Sequence, residues 1–318
     1  MIRRSLRFIV GVVAIAVLCA ISVCSQARKT IAITMDDLPV VSTRSDLKTR
    51  QEITRKILEH IRKAHAPVTA FVNEGKLYRD GTRDEQQIDL LRMWADAGLE
   101  LGNHTYSHFS LNKGLADFEA DFLKGEPITR ELMAEHGKKL RYFRHPYLFA
   151  GRTQEIKDQL GTFLTEHGYR IAPVTFDDSD YIFARAYDNA FDKHDTAMMK
   201  RVGADYVPYM EQKLVYWERQ SDKLFARQIP QTLLIHANII NSTYLGDLIK
   251  MFRRHGYDLV DLDTALKDPA YAIPEHYYGP AGISWLHRWA LEKGKDFVVP
   301  NEPKVPDYVL KLSGFDSE

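Results

Sequence analysis

The alternation of short apolar runs with helical patterns is the feature that most constrains how this chain can fold. Seven runs are typical of β-strands: Thr30–Met35, Val68–Val72, Leu99–Asn103, Leu140–Arg144, Tyr169–Thr175, Gln231–His236 and Tyr257–Val260. Helical spacing separates them, as in the set Ile53, Ile57, Leu58 and Ile61. This order predicts an α/β fold whose parallel sheet is closed or nearly closed into a barrel. The residues alone leave an open doubly wound sheet as the alternative.

Residues 1–27 are expected to be a signal peptide and not part of the fold. Arg3, Arg4 and Arg7 precede an apolar run of 17 residues from Phe8 to Cys24, and Ser25–Ala27 has the small-x-small pattern that a signal peptidase accepts. We therefore expect cleavage near Ala27 and an exported protein, either periplasmic or secreted. An uncleaved membrane anchor is the alternative, because 17 residues is at the lower edge of a bilayer span.

The charge and cysteine content of the chain limit which partners and which metal ligands it can use. The 318 residues include 43 basic and 43 acidic ones, so no basic excess indicates a nucleic-acid partner. Both cysteines, Cys19 and Cys24, lie in the expected signal peptide. The remaining chain therefore has no disulfide, cysteine ligand or cysteine nucleophile. Any metal site there must use histidine, aspartate and glutamate.

The composition changes after Asp268, where six prolines and several aromatic residues punctuate the chain and one helical pattern covers Ile283–Lys293. We divide the chain into the signal peptide (1–27), a main catalytic domain (28–267) and a C-terminal extension (268–318). The extension is expected to pack on the domain, and part of it is a candidate wall of a binding cleft.

Polar residues lie at the carboxyl ends of five of the seven predicted strands. They are Asp36 and Asp37, His104 and His108, Arg144 and Tyr147, Asp177 and Asp180, and His236. Taken singly, such residues are more often turn or helix caps, surface cations or core histidines. In a barrel, however, the carboxyl ends of the strands converge on one face. Asp37, with His104 and His108 presented from one helical turn, would then supply three ligands and leave one position open, as in a catalytic zinc site.

In order along the chain, these segments resemble the five motifs of the polysaccharide deacetylase family, also called the NodB-homology or carbohydrate esterase 4 family. The matching segments are Thr34–Pro39, His104–His108, Arg144–Tyr147, Asp177–Tyr181 and Leu234–His236. The resemblance covers about residues 30–265. It implies a distorted (β/α)7 TIM-like barrel of the NodB-homology type and the hydrolytic removal of acetyl groups from a carbohydrate.

The resemblance also implies a divalent metal ion held by Asp37, His104 and His108. Zn²⁺ is the first expectation, with Co²⁺ and Ni²⁺ as alternatives. A bound zinc ion polarises a carbonyl and lowers the pKa of water from ~15.7 towards ~7. That chemistry suits the hydrolysis of an acetyl group, because an amide is a poor electrophile and neutral water a poor nucleophile.

The remaining roles are implied in the same way. Asp36 would be the general base, Arg144 would hold it and keep it ionised, and His236 would be the general acid. Asp177 would orient His236 or line its pocket, and the main-chain N–H of Tyr147 would help to bind the oxyanion. Because an amine leaves badly as an anion, acid catalysis matters most for N-acetyl groups. N-deacetylation is therefore favoured over O-deacetylation.

Two positions depart from the family pattern. Leu38 replaces a glycine and is expected to bring a bulky side chain close to the substrate. Tyr181 replaces a tryptophan and keeps an aromatic wall. Two alternatives to a carbohydrate deacetylase stay open: a hydrolase of the same fold that acts on a non-sugar amide or ester, and a non-catalytic carbohydrate-binding barrel.

Overall fold

The computed structural model describes residues 28–318, so the expected signal peptide and both cysteines lie outside the described residues. The strands are β1 Lys29–Val41, β2 Thr69–Val72, β3 Tyr78–Arg79, β4 Thr82–Arg83, β5 Glu100–Asn103, β6 Tyr142–Phe143, β7 Arg170–Ile171, β8 Gln231–Asn238 and β9 Tyr257–Leu259. The helices are α1 Leu47–Ala64, α2 Glu85–Asp96, α3 Leu115–Lys124, α4 Pro127–Glu135, α5 Gln154–Glu166, α6 Asp180–Asp192, α7 Thr196–Phe225, α8 Ile239–Arg254, α9 Leu262–Ala265, α10 Trp285–Lys293 and α11 Asp307–Ser313.

The main sheet is parallel and curls into a distorted barrel. Its strands lie in the order β7-β6-β5-β2-β1-β8, and β9 also pairs with β1. The chain after β7 closes the curl, because the N–H of Thr175 donates to the carbonyl of Thr232 at 3.1 Å and the N–H of Leu234 donates to the carbonyl of Phe176 at 3.1 Å. Each of the seven expected strands therefore has a counterpart. The fifth expected strand, Tyr169–Thr175, is regular only over Arg170–Ile171 (β7). Pro173 follows it and has no N–H to donate to the sheet.

Helix α1 shows how the outer layer is specified. Asp46 caps it by accepting a hydrogen bond from the N–H of Thr49 at 2.8 Å, and His65 ends it in the left-handed conformation. Ile53, Ile57 and Ile61 recur at helical spacing and are buried. The apolar face of α1 thus covers the sheet, as the periodicity predicts.

Strand β1 differs from the expectation at the first motif. It does not end at Met35 but continues to Val41, with a register shift between Met35 and Leu38 and a φ of 69° at Asp37. This bulge turns the side chain of Leu38 into the core, where it is fully buried. The expectation that Leu38 stands beside the substrate is therefore wrong.

The C-terminal extension shares the core of the barrel. Leu286 and Trp289 of α10 are buried in the same cluster as the strand residues, and the N–H of Trp285 donates to the carbonyl of Val174 at 2.7 Å. Helix α11 packs on α6, where Asn189 donates to the carbonyl of Leu312 at 2.9 Å. None of the helices described between residues 28 and 318 is long and apolar enough to cross a membrane.

Candidate active site

Asp37, His104 and His108 come together at the carboxyl ends of β1 and β5. The Oδ1 atom of Asp37 lies 3.5 Å from Nε2 of His104 and 3.6 Å from Nε2 of His108. One donor atom from each of the three residues lies within 4.8 Å of the others. The three residues expected as metal ligands thus face one point.

The hydrogen bonds of His104 fix which of its nitrogens can bind a metal. Its Nδ1 lies 2.8 Å from the main-chain carbonyl oxygen of Arg144. A carbonyl can only accept, so Nδ1 carries the proton and Nε2 presents its lone pair to the site. A hydrogen bond of this kind is usual behind a metal-bound histidine.

The charges of the three residues also fit a metal ion. Burial lowers the pKa of His104 and of His108 to about 4, so both rings are neutral at pH 7. Burial opposes ionisation of Asp37, but Lys76 and the two histidines outweigh it and hold the pKa of Asp37 below its usual value. Among the described residues, the buried Oδ1 of Asp37 has no hydrogen-bond partner. An orphaned anionic oxygen beside two neutral imidazoles is a donor set suited to Zn²⁺.

The segment that carries the two histidines is a loop and not the helical turn that their spacing predicts. Thr105 and His108 have φ values of 64° and 55°, in the left-handed region. Asn103 accepts from the N–H of Thr105 at 2.7 Å, and the Thr105 hydroxyl accepts from the N–H of Phe109 at 2.9 Å. These local bonds replace the helical ladder and turn both rings to the same side.

Arg144 holds Asp36 in the interior. Its Nη1 donates to both carboxylate oxygens of Asp36 at 3.2 Å, its Nη2 to the Thr34 hydroxyl at 2.9 Å, and its Nε to the carbonyl of Ala172 at 2.7 Å. Both partners of the ion pair are buried. Burial raises the pKa of Asp36, and Arg144 offsets this only in part. Arg144 thus opposes the cost of burying the charged Asp36, as expected, but it does not bring the pKa back to its ordinary value. A raised pKa suits a general base that must take up a proton near neutral pH.

His236 lies beside Asp36 but is oriented by Asp180. Asp36 of β1 and His236 of β8 are partners in the parallel register. Nδ1 of His236 donates to Oδ1 of Asp180 at 2.7 Å. Burial lowers the pKa of His236, but the attraction of Asp180 outweighs it and raises that pKa to about 10. The ring is therefore protonated at pH 7.

The orienting role that the sequence offered to Asp177 thus falls to Asp180, three residues later. Asp177 takes its second expected place and lines the cavity, where burial raises its pKa to about 6 against the opposing charge of Lys213. Asp180 is the first residue of α6, and its Oδ2 accepts from Asn238 at 2.9 Å and from Asn241 at 2.8 Å. The helix start fixes which carboxylate faces the histidine. Asp180 lies in the fourth motif segment, Asp177–Tyr181, and this position is the sequence signal for its role.

Tyr147 borders the same site from the third motif. Its ring centroid lies 4.3 Å from that of His108, its side chain is 62% exposed, and its φ is 56°. The oxyanion role of its main-chain N–H stays a prediction.

A cavity of about 870 Å³ joins these groups. Besides the expected site residues it is lined by Tyr181, by Lys213 of α7, and by Gly282 and Glu302 of the extension. Lys213 forms an ion pair with Glu302, and Tyr181 lies with its ring centroid 5.5 Å from that of Phe315. The extension therefore forms part of the cleft. No motif surrounds Lys213, so no sequence pattern predicts its place at the cleft.

The chain is similar in sequence to one protein-family model and in fold to several solved structures. The polysaccharide deacetylase family model matches residues 25–172. A polysaccharide deacetylase from Bacillus cereus is 15% identical, with 80% of this chain and 100% of that chain covered and a TM-score of 0.50. A mutant of a CE4 family pseudoenzyme with restored enzymatic activity is 18% identical, with coverages of 76% and 68% and a TM-score of 0.50. No curated protein matches in sequence.

At such identities the solved structures establish the fold alone, and they confirm the predicted distorted (β/α)7 barrel. The family model adds evidence from sequence, and its match includes the first three motifs. The predicted resemblance to the polysaccharide deacetylase family is therefore confirmed, with residues 25–172 forming the segment that matches it.

Proposed function

We propose that this protein is a metal-dependent deacetylase that hydrolyses N-acetyl groups of a carbohydrate. One observation carries the proposal. The Asp37–His104–His108 cluster, the Asp36–Arg144 pair and the Asp180–His236 pair all open into one cavity. A proton acceptor, a proton donor and a candidate ligand set are thereby within reach of one bound acetyl group.

Asp37, His104 and His108 are the residues that would hold the ion. A divalent metal bound there would polarise the acetyl carbonyl and make water more acidic. Zn²⁺ is the proposed ion, because two imidazoles and one carboxylate are typical of catalytic zinc sites. Co²⁺ and Ni²⁺ are the alternatives, since they accept the same donor atoms.

The role proposed for Asp36 is to take a proton from the attacking water. It lies 3.8 Å from Nε2 of His104, next to the ligand set, and Arg144 fixes its carboxylate from behind. General base catalysis of this kind typically contributes about 10²–10⁴-fold to a rate.

The role proposed for His236 is to give a proton to the leaving group. Because Asp180 keeps its ring protonated at neutral pH, the donor is present when the bond to the carbonyl carbon breaks. An amine needs that proton more than an alkoxide does. This argument favours an N-acetyl over an O-acetyl substrate.

A carbohydrate partner and export complete the proposal. The carbohydrate rests on the match to the polysaccharide deacetylase family and on the aromatic and polar lining of the cavity, which includes Tyr181 and Lys213. Export rests on the basic and apolar pattern of residues 1–27.

The test is acetate release by the purified protein, stripped of metal and then reloaded with Zn²⁺. The panel contains N-acetylglucosamine oligomers, acetylated xylan and a simple aryl acetate. We expect zinc-dependent release that is fastest with the oligomers and that falls about 10²–10⁴-fold in Asp36→Asn. Asp89→Asn, at an exposed position on α2, is the matched control and should leave the rate unchanged.

Each other outcome points to one alternative. Fastest release from the xylan or the aryl ester would replace the amide substrate by an ester. Zinc binding without acetate release from any compound would refute the acetyl substrate and leave a same-fold hydrolase of another bond. A protein that binds no zinc would leave the non-catalytic carbohydrate-binding barrel.

A further inference from the structure

We infer that residues 73–76, which lie outside all five motifs, are a positioning device for the proposed metal ligands. The inference rests on the metal site of the proposed function. We call these residues the ligand bracket. They follow β2 and consist of Asn73, Glu74, Gly75 and Lys76.

The ligand bracket donates hydrogen bonds to the main chain of two of the three ligands. Nδ2 of Asn73 donates to the carbonyl oxygen of His104 at 2.7 Å. Nζ of Lys76 donates to the carbonyl oxygen of Asp37 at 2.7 Å. A single short turn thus connects the bulge of β1 with the loop after β5.

Two main-chain bonds reinforce this connection. The N–H of Asn73 donates to the carbonyl of Leu38 at 3.3 Å, and the N–H of Gly75 donates to the carbonyl of Tyr106 at 2.8 Å. The bulge of β1 and the loop after β5 are therefore each held at two carbonyls. One carbonyl is that of the ligand, and the other is that of a residue one or two positions later.

Both segments contain an unfavourable backbone conformation that requires such support. Asp37 and Thr105 have φ values of 69° and 64°, which residues other than glycine adopt only at a cost in conformational free energy. Conformations of this kind persist only where the surroundings enforce them. The four hydrogen bonds of the ligand bracket act at or next to these two positions.

The ligand bracket is itself fixed in the fold. Asn73 is only 1% exposed. The Oε1 atom of Glu74 accepts from the N–H of Thr129 in the first turn of α4 at 2.6 Å. A Cβ atom on Gly75 would lie 2.5 Å from the carbonyl oxygen of Tyr106, so this approach requires glycine.

Lys76 differs from Asn73 in that it carries a charge. Its Nζ lies 3.9 Å from Oδ2 of Asp37, so its hydrogen bond supports the ligand while its positive charge repels a cation. A change in metal affinity after loss of Lys76 would combine both effects. Asn73 is neutral, so its loss removes the hydrogen bond to the ligand without changing the charge beside the site.

The decisive experiment is a zinc titration of the full-length protein against a competing chelator dye, in wild type and in Asn73→Ala. Loss of a residue that orients a metal ligand typically costs about 10–100-fold in metal affinity. We expect that loss in Asn73→Ala, together with a changed visible absorption spectrum of the Co²⁺-loaded protein. A residue that only stabilises the fold would leave the spectrum unchanged.

Lys76 supplies a second test in case Asn73→Ala does not fold. Lys76→Met is expected to change the Co²⁺ spectrum, and Lys76→Arg, which keeps a donor, is expected to retain it. Lys124→Met is the matched control, because Nζ of Lys124 lies 3.8 Å from the centroid of the Tyr106 ring and not on a ligand carbonyl.

The outcomes separate this inference from the proposed function. If wild type binds no zinc, the metal site of the proposed function fails. If wild type binds zinc and the variants keep both its affinity and its Co²⁺ spectrum, the ligand bracket has no positioning role and this inference alone is overturned.

Discussion

At the scale of single residues, the site consists of two buried ion pairs with different tasks. Arg144 and Asp36 form a pair in which burial raises the pKa of the acid, whereas Asp180 and His236 form one in which the acid raises the pKa of the ring to about 10. One partner of each pair faces the cavity and the other lies behind it. Asp36 and His236 face the cavity, while Arg144 and Asp180 lie behind them and set their protonation state or orientation.

Loss of the Asp180 charge should move the alkaline limb of the pH–rate profile. Below its pKa His236 is protonated and can act as an acid, and this ability is lost as the pH rises through that pKa. Asp180→Asn removes the main interaction that raises the pKa, so we expect the alkaline limb to shift to lower pH. The measurement is the initial rate of acetate release as a function of pH.

The control for this shift is Asp177→Asn. Asp177 lines the cavity, but it is Asp180 that forms the hydrogen bond with Nδ1 of His236, so loss of Asp177 should shift the alkaline limb much less while altering KM. A larger shift in Asp177→Asn than in Asp180→Asn would contradict the assignment of Asp180 as the orienting residue.

At the scale of elements, the bulge in β1 decides how the first motif works. In a regular strand, successive side chains alternate between the two faces. The left-handed residue at Asp37 breaks that alternation, so that Asp36 and Asp37 both line the cavity while Leu38 enters the core. Leu38 is therefore a packing residue and not a specificity residue.

This assignment predicts a stability effect for Leu38→Ala. A buried leucine truncated to alanine typically loses about 2–5 kcal/mol of unfolding free energy, because it leaves a cavity. We expect that loss in urea unfolding of Leu38→Ala, with the ranking of substrates unchanged. Leu123→Ala is the control, since Leu123 is 40% exposed and its loss should cost no more than about 0.5 kcal/mol. A stable variant with a new substrate preference would restore the expectation drawn from the sequence.

At the scale of the whole molecule, the barrel and the extension share one hydrophobic core. The core cluster runs from the strands into α10 and α11 without a break, and Glu302 reaches back to Lys213 at the cleft. The boundary near residue 268 therefore marks a change in composition, while the buried core continues across it.

Removal of residues 269–318 should accordingly destroy the cooperative fold and not merely shorten the cleft. Trp289→Ala is the milder variant, for which we expect a loss of about 3–5 kcal/mol in unfolding free energy. Leu291→Ala, at a 39% exposed position of the same helix, is the control. Thermal unfolding followed by circular dichroism measures both. A truncated chain that unfolds cooperatively and keeps its activity would show that the extension is dispensable.

The sequence predicted the strands, the convergence of polar residues on one face and the three candidate ligands, because all three follow from hydrophobic patterning and strand direction. It did not predict the tasks of Asp180 and Leu38, because a helix start and a bulge decide where these side chains point. The 30-residue helix α7 and its Lys213 carry no motif. No sequence pattern predicted the ligand bracket. Asn73 and Lys76 donate to main-chain carbonyls, and such contacts do not depend on which side chain the partner residue carries.

The proposed ligands come from strands that are not neighbours. Asp37 lies in the bulge of β1 and His104 directly follows β5, and β2 lies between these strands in the sheet. An ion bound by both would act as a cross-link over the top of β2, and its occupancy would be thermodynamically linked to unfolding. At a free ion concentration about 100 times the Kd, that linkage is worth about 2.7 kcal/mol. The supply of metal in the surroundings of the protein would then govern its lifetime against heat and proteases as well as its catalytic rate.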